Sequence, residues 1–209
     1  MNLHTRRFQL AGPAGVIEVL RDEPGAGIAH HGMAVIAHPH PLFGGTMENK
    51  VVQTLARAFV QAGWVALRFN FRGVGASQGA HDEGRGELED MLALIASEAP
   101  VGPLALAGFS FGSFVATCAV KALWSQRAIE KIVLVGTSTG RFDVSQLPPQ
   151  SHDRTLVVHA EHDETVPLQS VLDWARPQTL PVTVIPGGSH FFHGQLPLLK
   201  SLVLRHLRS

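Results

Sequence analysis

The feature that most constrains this chain is an alternation, from residue 34 onwards, of short and largely apolar runs with stretches of helical periodicity. Ala34–Ala37, Val65–Phe71, Leu104–Ala107, Ile132–Val135, Thr155–Val158 and Val182–Ile185 read as strands. Between and after them, Val51–Gln61 carries Leu55, Phe59 and Ala62 on one helical face, and Glu87–Ser97 repeats Leu88, Met91, Leu92 and Ile95 at the helical period. Phe111–Trp124 and the stretches near Leu168–Trp174 and Leu196–Leu207 read as further helices. Strands this apolar have no face to offer to water, so both faces of their sheet must be covered by helices. The predicted class is α/β, with a mostly parallel twisted sheet. Two earlier stretches, Arg7–Leu10 and Val16–Leu20, flank Gly12-Pro13-Ala14-Gly15 and predict an N-terminal antiparallel hairpin.

Bulk properties narrow the partners. At 209 residues and 45% hydrophobic content the chain can bury one sizeable core, and no repeat or linker breaks it. The reading is one domain spanning 1–209. Lys+Arg and Asp+Glu are both 17. A nucleic-acid or anionic-membrane partner would leave a basic excess, so a neutral small molecule is expected instead. A lone cysteine, Cys118, cannot close an internal disulfide, and no apolar run follows the two N-terminal arginines. Both observations predict a soluble, cytoplasmic protein. Cys118 reads as a small buried residue of its helix.

In open parallel sheets, functional groups collect on loops at the carboxyl ends of strands. Gly108-Phe109-Ser110-Phe111-Gly112 lies directly after one strand and directly before a helix. It matches G-x-S-x-G, in which a serine sits on a sharp strand-to-helix turn and small flanking residues let backbone pass close by. Ser110 is therefore the candidate nucleophile. A serine hydroxyl is weak until a histidine takes its proton, and that histidine needs an acid to orient it. The order Ser, acid, His points to the loop after Thr155–Val158, where Glu161 and Glu164 are rivals and the Asp-x-x-Val-Pro pattern favours Asp163. It selects His190 after Gly187-Gly188-Ser189, leaving His193 at the surface or behind the site. Phe191 and Phe192 are expected to pack under the last helix. An oxyanion hole needs two aimed N–H donors. Phe111 supplies one. The other is expected from His38-Pro39-His40-Pro41-Leu42-Phe43-Gly44-Gly45, where the prolines cannot donate; Leu42 is the first choice and His40 the alternative.

These motifs fall in order over most of the chain, together with Arg68-Phe69-Asn70-Phe71-Arg72-Gly73-Val74-Gly75-Ala76-Ser77. The set resembles the small, lidless bacterial α/β-hydrolases, a group close to dienelactone hydrolases and simple carboxylesterases. The resemblance implies a serine hydrolase that works through an acyl-enzyme on small or short-acyl esters, with no metal or organic cofactor. Dienelactone hydrolases proper use a cysteine nucleophile, and here the position is Ser110. The Gly-rich stretch from Arg72 to Ser77 has neither the lysine nor the glycine register of a nucleotide loop, and Asn70 and Arg72 read as ties between loops. Only Gly136 to Arg154 separates the sixth strand from the acid-bearing one, too little for a lid domain.

Other classes of protein fit these residues less well. Histidine pairs His38/His40 and His159/His162 have suggestive spacing, but no H-E-x-x-H or cysteine-based metal site occurs. A thioesterase or peptidase would use the same machinery. A non-catalytic binding protein of the same fold would be free to lose a member of it.

Overall fold

The computed structural model describes residues 5–209. Eight strands form one sheet: β1 (Thr5–Gly12), β2 (Gly15–Asp22), β3 (Gly32–Ala37), β4 (Trp64–Phe69), β5 (Leu104–Phe109), β6 (Ile129–Val135), β7 (Thr155–Ala160) and β8 (Val182–Ile185). Their order is β1-β2-β4-β3-β5-β6-β7-β8. The hairpin β1–β2 pairs Gly12 with Gly15 across Pro13-Ala14, and β2 joins β4 antiparallel; every later pairing is parallel. Helices α1 (Lys50–Gln61), α2 (Arg85–Glu98), α3 (Phe111–Leu123), α4 (Leu168–Ala175) and α5 (Leu196–Arg208) connect and cover it.

The strand period divides the core in two. Val35, Leu67, Leu106, Leu134 and Val157 face one side, where they meet Met91 and Leu94 of α2, Val115 and Ala119 of α3, and Val171 of α4. Their neighbours Ala34, Ile36, Ala66, Ala107, Val133 and Val158 face the other, under Leu55 and Phe59 of α1 and Leu199 and Val203 of α5. A ring such as Phe59, fully removed from water, contributes about 1.5–3 kcal/mol. The helix after β3 thus lies on one face and those after β4 and β5 on the other. Since β4 and β5 flank β3 on opposite sides, the chain changes direction there, and the crevice at the carboxyl ends of β3 and β5 is a topological switch point.

Strand β4 stops at Phe69, two residues before the apolar run ends. Asn70 accepts from the Met47 amide at 2.9 Å and donates to the buried Glu18 carboxylate at 2.7 Å, which also receives the Ala76 amide and Arg7. The Phe71 amide donates to His38 Nε2 at 3.0 Å. These ties draw the chain out of the sheet and over the end of β3. Arg72 then forms a two-pronged pair with Asp90 of α2, at 2.9 Å on each arm. Residues Gly136 to Arg154 hold no lid. Val144 and Leu147 are buried, and Trp174 of α4 donates to the Val144 carbonyl at 3.1 Å. Among the described residues, no helix is long and apolar enough to cross a membrane.

His38 links this frame to pH. It is wholly buried, donates from Nδ1 to the Pro39 carbonyl at 2.6 Å, and accepts Phe71 N–H at Nε2. Neither nitrogen has room for a further proton. Burial pushes its pKa down to about 3, against a partial opposing effect of the Pro39 bond. Unfolded, the ring titrates at its ordinary value near 6.5. The stability this group contributes is therefore complete above pH ~6.5 and is lost as the pH falls towards 3, at about 1.4 kcal/mol per pH unit from this proton alone. His206, held down to about 4 mainly by burial, acts in the same direction. Thermal melts should show the midpoint falling steadily from pH 7 to pH 5; a flat profile over that range would contradict the assignment.

Candidate active site

Ser110 is placed by two constraints of backbone geometry. Strand β5 ends at Phe109 and α3 begins at Phe111, so Ser110 must make the whole turn alone, at φ 56° and ψ −119°. A non-glycine residue there stores roughly 1–3 kcal/mol of strain, which the surroundings must hold. They do so by hydrogen bonds. The Ser110 amide donates to the Val135 carbonyl at the end of β6 (2.8 Å). The Ser113 hydroxyl donates to the Gly108 carbonyl (2.7 Å) and accepts from the Val135 amide (3.1 Å). The glycines are needed for space: a Cβ on Gly112 would lie 2.3 Å from the Ala37 carbonyl oxygen, and one on Gly108 would lie 2.2 Å from that of Gly112.

The structure brings Ser110, His190 and Asp163 into one hydrogen-bonded chain. Ser110 Oγ is 3.1 Å from His190 Nε2, and His190 Nδ1 is 2.7 Å from Asp163 Oδ2. Asp163 can only accept while ionised, so His190 donates from Nδ1 and its Nε2 is left as the acceptor facing the serine. The other oxygen of Asp163 takes the amides of Thr165 (2.9 Å) and Val166 (2.7 Å). Burial alone would raise this carboxyl. The bond and charge of His190 and the two amides outweigh it and hold the pKa below the ordinary aspartate value. The rival carboxylates hold the loops instead. Glu164 accepts the His190 amide at 3.1 Å, and Glu161 accepts the Gly187 amide at 2.8 Å.

Behind the acid lies His159, one of the histidines whose spacing in sequence suggests a metal pair. It is buried and donates from Nε2 to the Val166 carbonyl at 2.9 Å, bracing the residue whose amide holds Asp163; burial keeps its pKa low. Ser138 is not anticipated from the sequence. Its hydroxyl lies 3.3 Å from that of Ser110, carried there because β6 pairs with β5. Among the described residues, no three His, Cys, Asp or Glu side chains are arranged to hold a metal ion.

The loop after β3 departs from expectation. Pro41–Phe43 forms a short 3-10 turn capped by His40, whose Nδ1 accepts the Leu42 amide at 3.2 Å. Leu42 itself is 70% exposed and does not line the cleft over Ser110. Leu42 is thus corrected as a donor: its N–H is spent on the imidazole that caps its own turn. The His40 amide meets no acceptor among the described residues, and His40 does line the cleft. The Phe111 amide is at the first position of α3, where no intrahelical carbonyl is available.

A cleft of about 340 Å³ opens over these groups, lined among others by His40, Phe43, Ser110, Ser138, Arg141, Phe142, His190 and Phe191. Phe191 is a second correction. Phe192 is buried in the core beneath α1 and α5, but Phe191 is 40% exposed and turns its ring to the cleft, with its centroid 5.1 Å from that of His190. The left-handed backbone of Phe192, φ 53°, sends these adjacent rings to different places. Cys118 is only half-buried, and its thiol pKa is raised mainly by burial.

A strained serine between strand and helix, joined to an imidazole and a carboxylate at the carboxyl ends of a mostly parallel sheet, defines a class. The chain belongs to the α/β-hydrolase fold family, whose model matches residues 30–155. That span includes Ser110 and the His40 loop and ends before Asp163 and His190. Among solved structures, the chain is similar to XC6422 from Xanthomonas campestris, described as an α/β serine hydrolase without lid: 35% identity, TM-score 0.88, with 100% of this chain and 95% of the other covered. It is also similar to an α/β serine hydrolase homologue from Coxiella burnetii, with 37% identity, TM-score 0.84, and 99% and 98% covered. RP471, an uncharacterized protein of Rickettsia prowazekii (strain Madrid E), is 42% identical over 112 residues. That match covers 50% of this chain and 45% of the relative, so less than half of the relative's length is spanned.

Proposed function

We propose that this chain is a serine hydrolase that forms an acyl-enzyme at Ser110, and that it acts as a carboxylesterase on small or short-acyl esters. The observation that carries the reading is the chain Ser110 Oγ–His190 Nε2 (3.1 Å) and His190 Nδ1–Asp163 (2.7 Å), opening directly onto the cleft. In the proposed reaction His190 takes the serine proton as Oγ attacks the ester carbonyl, and Asp163 stabilises the imidazolium that forms. The amides of Phe111 and His40 hold the oxyanion. His190 then protonates the departing alcohol, and a water activated by the same imidazole releases the acid. An open cleft of about 340 Å³ suits small acyl groups, which supports an esterase over a lid-regulated lipase.

The test is a fluorophosphonate probe followed by a substrate panel. The expected result is one covalent adduct at Ser110, with short p-nitrophenyl esters turned over faster than matched thioesters and peptide amides. Faster turnover of thioesters or amides would move the assignment within the serine hydrolases. An unlabelled Ser110 on the natively folded chain would reject the enzyme reading in favour of a binding protein.

A further inference from the structure

Resting on the serine-hydrolase reading of this cleft, we infer that Arg141 makes it selective for esters that carry a carboxylate on the acyl chain or on the leaving group. Apart from the imidazoles of His40 and His190, Arg141 is the only ionisable side chain lining the cleft among the described residues. It has no carboxylate partner among them, and its guanidinium carbon sits 4.9 Å from the centre of the Phe43 ring. A cation–π contact of this kind holds the charge at the rim yet uses none of the five N–H donors of the guanidinium. Those donors match the two oxygens of a carboxylate.

The surroundings favour an anion as well. The carboxylates around the cleft are engaged elsewhere: Asp163 with His190 and two amides, Glu164 with the His190 amide, Glu87 with His81 and the Gly84 amide, and Glu83 beside His81 at 3.5 Å. None lines the cleft to repel an incoming anion. Arg141 is felt as far in as His40, whose pKa is lowered mainly by burial and further by His81 and Arg141, against smaller opposing effects of Glu83 and Glu87. The chain's formal net charge of +0 hides this local excess, so the neutral ligand expected from composition is replaced by an anionic one.

Two matched pairs test the inference: p-nitrophenyl hexanoate against mono-p-nitrophenyl adipate, and phenyl butyrate against p-carboxyphenyl butyrate. The first places the carboxylate on the acyl side, the second on the leaving group. In Arg141→Gln the anionic-to-neutral ratio of kcat/KM should fall about five-fold in at least one pair, through KM, as expected for one partly exposed ion pair. Arg141→Lys should restore part of it, and raising the ionic strength tenfold should shrink the wild-type ratio. An unchanged ratio in both pairs, or a Lys variant as impaired as the Gln variant, would overturn the inference. Should the wild type hydrolyse none of the esters, calorimetric binding of monomethyl adipate against methyl hexanoate gives the same comparison without turnover, and equal affinities would overturn it. Fluorophosphonate labelling of Ser110 reports separately on the serine-hydrolase reading.

Discussion

Ser110→Ala should lower kcat for short esters by roughly a million-fold while leaving KM and the fold nearly unchanged, because the nucleophile, base and acid act as a unit. The hydroxyl's contacts are few. It meets His190 at 3.1 Å and Ser138 at 3.3 Å, and the elbow is held by the Ser110 backbone and by Ser113. Circular dichroism and thermal melts should therefore match wild type. Adding His190→Ala to this variant should cost little more, since the base has no proton left to take. Activity within tenfold of wild type in Ser110→Ala would place the nucleophile elsewhere.

Asp163→Asn should cut kcat about 10⁴-fold, for a reason specific to this loop. The Oδ1 position of residue 163 accepts two amides, from Thr165 and Val166, and an asparagine keeps its carbonyl there. Its NH₂ group then faces His190 Nδ1, which must become an acceptor, and the imidazole proton moves to Nε2. That proton points at Ser110 Oγ, and the base is lost without any change of shape. The linkage has a definite sign. The Asp163 pKa is lowered in the folded chain, so its contribution to stability is present above the ordinary aspartate value and is lost as pH falls through the folded one. At neutral pH the isosteric variant gives up that contribution, so it should melt below wild type but stay folded while its kcat collapses. Wild-type turnover by Asp163→Asn would remove Asp163 from the acid role.

These two variants concern residues that are legible in the sequence alone, and the reason is local. A strand, a turn of defined sterics and a helix are contiguous in the chain, so Gly108-Phe109-Ser110-Phe111-Gly112 announces its own geometry. Asp163 and His190 could be chosen because each follows an apolar strand in the required order. Asp163 is set apart from Glu161 and Glu164 only by the Val166-Pro167 pair that follows it. Three carboxylates within four residues differ only in which loop each faces, and that depends on where β8 brings its own loop.

The sequence by itself determined the layered α/β architecture, the N-terminal hairpin and the positions at strand ends where chemistry can sit. These follow from periodicity, apolar content and turn residues, all of them short-range. Tertiary structure alone decided what lies at the cleft. Parallel pairing of β5 with β6 carries Ser138, Arg141 and Phe142 to Ser110 from a segment that in sequence was only too short for a lid. The His40 ring, by capping its own turn, consumes the Leu42 amide and leaves that of His40 open. A positive φ at Phe192 separates two neighbouring phenylalanines, one into the core and one to the cleft wall. The outcomes depend on a contact between residues far apart in the chain, on a side chain capping its own turn, or on a single backbone angle, and none of these leaves a periodic trace in the sequence.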